Sequence, residues 1–248
     1  SILPKLSMNG IYLFFIASYV IGLLFSGWLP PRPVDKSLDV EIDQEIPGDG
    51  HSTSHIHVPA SVPWLVLAAV LFTYINIGAY WTYIELASLD SAASADWVGQ
   101  LLVYTSVFSV IGCACATVIS NRFGLARPLL VTLVFQAIIV VMLANGINTT
   151  NVMISMFAFN FCWIFVDVYQ SATIANVDHS GRFAALMPGA QGLGQIIGPN
   201  LAATILAAGL GYGSIFVMCA IASLIAFVIY LFMYVRLKRI IPALADAS

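Results

Sequence analysis

Apolar positions in this chain gather into long runs, separated by brief polar connectors. A helix that crosses the hydrocarbon core of a bilayer needs about 20 predominantly apolar residues. Seven runs reach or approach that length: Ile11–Trp28, Val62–Leu86, Trp97–Ile119, Pro128–Ala144, Val152–Ala172, Ala184–Leu210 and Ser214–Val235. They predict an all-α integral membrane protein with seven transmembrane helices. The first run ends in GWLPPRP, with no small-residue cleavage site, so it is read as a span and not as a signal peptide. The chain begins with Ser, which raises the expectation of a further part upstream.

The connectors are short except one. Residues 29–61 carry six of the twelve acidic residues, five prolines and three histidines. Such a segment cannot bury enough apolar surface to offset its ordering entropy, so it predicts a flexible linker. The chain then divides into a single helix (1–28), the linker (29–61), a six-helix block (62–236) and a tail (237–248). His51, His55 and His57 lie close together in the linker, but with no regular scaffold to hold them no metal site is expected.

Composition agrees with the pattern. Sixty per cent of the 248 residues are hydrophobic and 8% are charged, against about a quarter charged in soluble domains. A net charge of −3 gives no reason to expect a nucleic-acid partner. Cys113, Cys115, Cys162 and Cys219 all fall in apolar runs and read as small buried hydrophobes. No serine–histidine pairing, intramembrane ligand set or phosphate loop appears, so neither an enzyme, a cofactor nor a metal is expected. Eight of the nine basic residues fall on one side of the predicted spans; only Lys5 lies on the other. The positive-inside rule makes the basic side cytoplasmic, with the C-terminus inside.

Two spans carry polar stripes. In Val152–Ala172, Asn160, Trp163, Asp167 and Gln170 follow at spacings of three, four and three, opposite Phe, Ile and Val. A charge at the bilayer centre costs roughly 2.5–3.5 kcal/mol, so Asp167 should face protein or water. Two roles are open to it: an ion pair with Arg127 or Arg182 at the inner surface, favoured on this reading, or solute and proton coupling. In Val62–Leu86, Thr73, Asn76, Tyr80 and Tyr83 share one face, with Tyr74, Trp81 and Glu85 nearly opposite. Hydrogen-bonding aromatics on a cavity wall suit a small polar or amphipathic solute. Asn76 and Tyr80 are therefore expected to line a cavity with Asn160, Trp163 and Gln170. Tyr83 is assigned to an interfacial aromatic belt, and Glu85 either to the same interface or to an outer gate. Gln191 and Gln195, one turn apart, read as glue between helices.

One helix, a long cytoplasmic linker and six further helices resemble helices 6 to 12 of the major facilitator superfamily. The connector SNRFGLARPLL is similar to that family's loop between helices 8 and 9 through Arg122, Gly124 and Arg127, although Asn121 stands where an acid is usual. Asp178, Gly181 and Arg182 resemble the loop before helix 11 in bacterial members, and Gly194-x-x-x-Gly198-Pro199 resembles its glycine-rich helix. Small residues four apart allow close helix approach, and the proline bends the helix. The resemblance implies a six-helix bundle of two inverted three-helix repeats, half of a facilitator fold. It implies secondary active transport by alternating access, with symport as one mode, in a bacterial inner membrane. Its partners would be the lipid bilayer, a missing N-terminal half and a small-molecule solute. The alternatives are a seven-helix receptor-like protein and a transport-inactive facilitator-like subunit. The receptor reading is weakened by the long first connector and by the lack of a lysine in the last span.

Overall fold

The computed structural model describes residues 61–91, 93–178 and 181–240, together with Val20 and Pro59; of residues 120–122 and 239–240 it describes the backbone alone. The expected first span, most of the linker with its three histidines, and the end of the tail lie outside the described residues. Six helices follow one another: α1 (Ser61–Asp90), α2 (Ala95–Phe123), α3 (Ala126–Ala144), α4 (Thr149–Val177), α5 (Arg182–Ala207) and α6 (Tyr212–Ile240). There is no strand among the described residues.

Five of the six helices are long and apolar enough to cross a membrane, making this an all-α membrane protein. The exception is α5, so the described residues supply five candidate spans where the expectation of seven transmembrane helices places six. It forms as a 26-residue helix, but two prolines lie inside it, and Gln191, Gln195 and Asn200 further dilute its apolar character.

The helix boundaries have local causes. Ser94 and Asn148 accept hydrogen bonds from the backbone N–H groups of Trp97 and Asn151, capping α2 and α4. Gly124 follows α2 with φ 67°, a left-handed value that glycine adopts at no steric cost. Gly181 before α5 also has positive φ and supplies no side-chain cap. That duty passes to Asp178, whose Oδ2 accepts from the backbone N–H of Ala184 at 2.8 Å. Its carboxylate thus lies at the positive end of the α5 dipole. Asp178→Ala is expected to lower stability by about 1 kcal/mol, read as a modest fall in melting temperature of the purified protein, with Asp178→Asn recovering most of it.

Side-chain contacts fix the helix directions. Gln170 meets Thr73, and Ser155 meets Tyr80, so α4 runs antiparallel to α1. Trp64 meets Phe183 and Tyr83 meets Pro199, so α5 runs parallel to α1. Arg236 at the end of α6 donates to Ser61 at the start of α1. Each helix therefore reverses its predecessor, and Arg127, Arg182, Arg236 and Lys238 all come to one end of the bundle.

The six helices form two layers. α5, α1, α4 and α2 lie side by side in that order; α6 packs behind α1, α3 behind α4, and α6 on α3. Exchanging α1 with α4, α2 with α5 and α3 with α6 maps this set of pairings onto itself. Close approaches hold the front layer together. A Cβ on Gly194 would lie 2.6 Å from the Leu71 carbonyl oxygen, and one on Gly198 would strike that of Ile75. On the other flank a Cβ on Gly112 would lie 2.7 Å from the Phe161 oxygen, seating α2 on α4. These are the small-residue contacts expected where lipid supplies no hydrophobic drive between helices.

Candidate functional site

The centre of the front layer holds a cluster drawn from three helices. Asp167 on α4 is half-buried. Its Oδ1 accepts from the Tyr74 hydroxyl of α1 at 2.7 Å and from Gln191 Nε2 of α5 at 2.9 Å. Its Oδ2 has no hydrogen-bond partner among the described residues. Trp163, one turn before Asp167, lies beside the Tyr74 hydroxyl. The Trp163 ring is 6.0 Å from that of Trp81, tilted by 54°. The Trp81 indole N–H is buried without a partner among the described residues.

The local sequence explains the convergence. Tyr74 and Trp81 are two turns apart on α1, and Trp163 and Asp167 one turn apart on α4, so each pair shares a helix face. Gln191 reaches Asp167 because Gly194, one turn on, lets α5 approach Tyr74: a Cβ there would lie 2.7 Å from Tyr74 Cβ. The close approach that packs α5 on α1 therefore also delivers the amide to the carboxylate.

Asp167 has no arginine partner among the described residues; neutral groups take the place expected for Arg127 or Arg182. Arg127 is exposed at the start of α3 and Arg182 at the start of α5, both at the end of the bundle, whereas Asp167 lies more than two turns inside α4.

The other predicted site residues divide. Trp163 joins the cluster. Asn76 and Tyr80 are fully buried between the layers, not on an open wall. Tyr80 stacks on Phe159 at 3.8 Å and its hydroxyl pairs with Ser155 at 2.9 Å; the Asn76 amide has no partner among the described residues. Gln170 is fully buried, donating to Thr73 Oγ1 at 2.8 Å. Asn160 is tied to α2, donating to the Thr105 carbonyl and to Ser109 Oγ. Tyr83 is half-buried and donates to the Pro199 carbonyl at 3.4 Å, so it joins α1 to α5. Glu85 is exposed near the end of α1. Gly124 and Asp178 are turn and cap, Gly194 and Gly198 are close-approach points, and Arg122 falls in the last turn of α2. Of the cysteines, Cys162 and Cys219 are buried as expected, whereas Cys113 is exposed.

The sequence pattern does not mark Tyr74, Trp81 or Gln191 as site residues. Tyr74 and Trp81 lie, as their spacing predicts, on the opposite face from Asn76 and Tyr80, and that opposite face is the one that meets the carboxylate. No protein-family model matches the chain, and no curated protein matches it.

Proposed function

We propose that this chain carries one six-helix half of a secondary transporter of major facilitator type, working by alternating access on a small polar or amphipathic solute. The observation that carries the reading is the pairing pattern: α1–α3 and α4–α6 exchange with every helix pairing preserved and their directions reversed. Inverted three-helix repeats around a central site are the architecture from which alternating access is built. Two further features support it. The helices at the flanks of the front layer keep broad exposed faces, with Val103, Tyr104, Val107 and Val110 on α2 and Leu193, Ile196 and Leu201 on α5. On α5 these alternate with exposed Gln195, Asn200 and Thr204. A helix of that composition crosses a membrane comfortably only with protein or water on its polar side, which a second six-helix half would provide. The half-buried carboxylate at the middle of the same layer is the second feature, because an ionisable group at membrane depth marks a solute or ion pathway. The basic end of the bundle would lie in the cytoplasm, at the inner face of a bacterial plasma membrane.

The test is counterflow. Proteoliposomes of the full-length protein, loaded with unlabelled solute, are exposed to trace labelled solute drawn in turn from cationic, neutral and anionic compounds. Saturable accumulation of at least one of them, absent from protein-free vesicles, is expected. Exchange of none would overturn the reading and leave a transport-inactive membrane subunit.

A further inference from the structure

We infer that the Asp167 cluster binds an organic monocation, an ammonium or similar centre carried on an apolar or aromatic body. The inference deepens the transporter reading and takes its setting from it.

The argument begins with charge. Asp167 brings a formal negative charge to membrane depth, and the groups that bond it, Tyr74 and Gln191, are neutral donors. Both act on Oδ1, so they fix the carboxylate's orientation and leave Oδ2 without a donor among the described residues. An acidic group held in this way, at a depth where an uncompensated charge is costly, is completed by a cation that arrives and leaves. An anion would meet the carboxylate directly and be repelled.

The kind of cation follows from the walls. A divalent metal takes six or more oxygen ligands, or a compact set of nitrogen and sulfur ligands. Among the described residues no group of three or more His, Cys, Asp or Glu comes together. The site offers one carboxylate, a tyrosine hydroxyl, an amide and two indoles. Trp81 and Trp163 are both half-buried. The rings lie 6.0 Å apart at 54°, forming two sides of an aromatic corner. Indole faces attract a weakly hydrated cation within about 6 Å of the ring centroid, most strongly when water is excluded. Carboxylate plus tryptophan faces is thus a site for a soft organic cation. A small inorganic ion would give up its hydration shell for too few oxygens. One carboxylate matches one positive charge.

The test uses the full-length protein in detergent and radiolabelled benzyltrimethylammonium, a monocation with an aromatic body, measured by equilibrium dialysis. Saturable binding is expected. Excess unlabelled probe should displace it, whereas benzyl alcohol, benzoate and sodium at equal concentration should not. Asp167→Asn should weaken binding at least tenfold, and Trp163→Leu several-fold, while Arg127→Gln leaves it unchanged. Absence of binding by the wild type, displacement by benzyl alcohol or benzoate, or displacement by sodium would each overturn the inference. These arms need no variant, so a poorly folding Asp167→Asn protein does not rescue it. Counterflow separates this inference from the transporter reading. Charge-selective binding without exchange would sink transport and leave the cation site standing. Exchange of neutral or anionic solutes, undisturbed by benzyltrimethylammonium, would do the reverse.

Discussion

Replacing Gly198 with leucine is expected to leave no folded protein to assay. The close approach of α5 to α1 depends on hydrogen at this position: a Cβ would strike the Ile75 carbonyl oxygen and come within 3.0 Å of the Ala79 backbone nitrogen. Both obstacles are main chain inside a helix, so neither can rotate aside as a side chain would. Inserting atoms into a well-packed interior costs typically 1–3 kcal/mol and more where the surroundings cannot yield. Leucine here forces α1 and α5 apart along their shared length. It also withdraws Gln191 from Asp167, because Gly194 and Gly198 lie on one face of α5. Total stability is roughly 5–15 kcal/mol; with two main-chain obstacles that cannot move aside the cost exceeds the usual range and exhausts a stability at the lower end of that scale.

The contrast within the same helix makes the prediction specific. Gly189 and Gly192 have open space where a Cβ would stand. Gly189→Leu and Gly192→Leu should therefore give wild-type yield and a single symmetrical peak in size-exclusion chromatography. If the outer face of α5 meets a second six-helix half, the same two variants should abolish counterflow while remaining folded. Normal folding of Gly198→Leu would mean that α5 does not sit on α1 as described.

Most of the architecture is legible in the runs of apolar residues, because lipid imposes a length and a polarity that few other environments share. The boundaries are less legible for the same reason. Val62–Leu86 marks the stretch that oil would accept, whereas the helix continues from Ser61 to Asp90, since polar residues at a span end stay helical in the headgroup region. Faces are harder still. In water a helix shows its buried side by being apolar, but in a membrane the lipid side and the core side are both apolar. Only polar residues remain as markers, and these line cavities and join helices with the same side chains. Gln170 and Asn160 read as a wall and are ties between helices. Gln191 looked like a tie and bonds the one half-buried carboxylate of the front layer. What distinguishes the two cases is whether a partner lies opposite, and spacing along a single helix carries no information about the helix across from it. Asp167 was the exception because the cost of a charge in lipid singles it out whatever its partner. Its partners still had to be seen.

Tyr80 and Trp163 separate the two faces of this layer by experiment. Both are large aromatics on polar stripes of central helices, and the sequence makes them alike. The structure does not. Tyr80 is fully buried, stacked on Phe159 and bonded to Ser155 between the layers. Tyr80→Ala is expected to cost about 3 kcal/mol, from the cavity and lost ring contacts, and to lower the melting temperature sharply. Tyr80→Phe keeps the stack and gives up the hydroxyl pair, which in a membrane protein is worth about 0.6 kcal/mol on average, so it should be nearly silent. Trp163 is half-buried beside Tyr74 and Trp81, within the carboxylate cluster. Trp163→Leu retains an apolar side chain and should shift the melting temperature little, while exchange of solute falls several-fold or more. The measurement is a pair for each variant: thermal denaturation of purified protein, and counterflow at matched protein density. If Tyr80→Ala stays as stable as wild type yet stops exchange, Tyr80 lines the pathway and the layers are assigned the wrong way round. If Trp163→Leu unfolds the protein, that ring is part of the core and the open face lies elsewhere. A stability loss confined to Tyr80 and an exchange loss confined to Trp163 would establish that the working face of the bundle is the one carrying Tyr74, Trp81, Trp163 and Asp167.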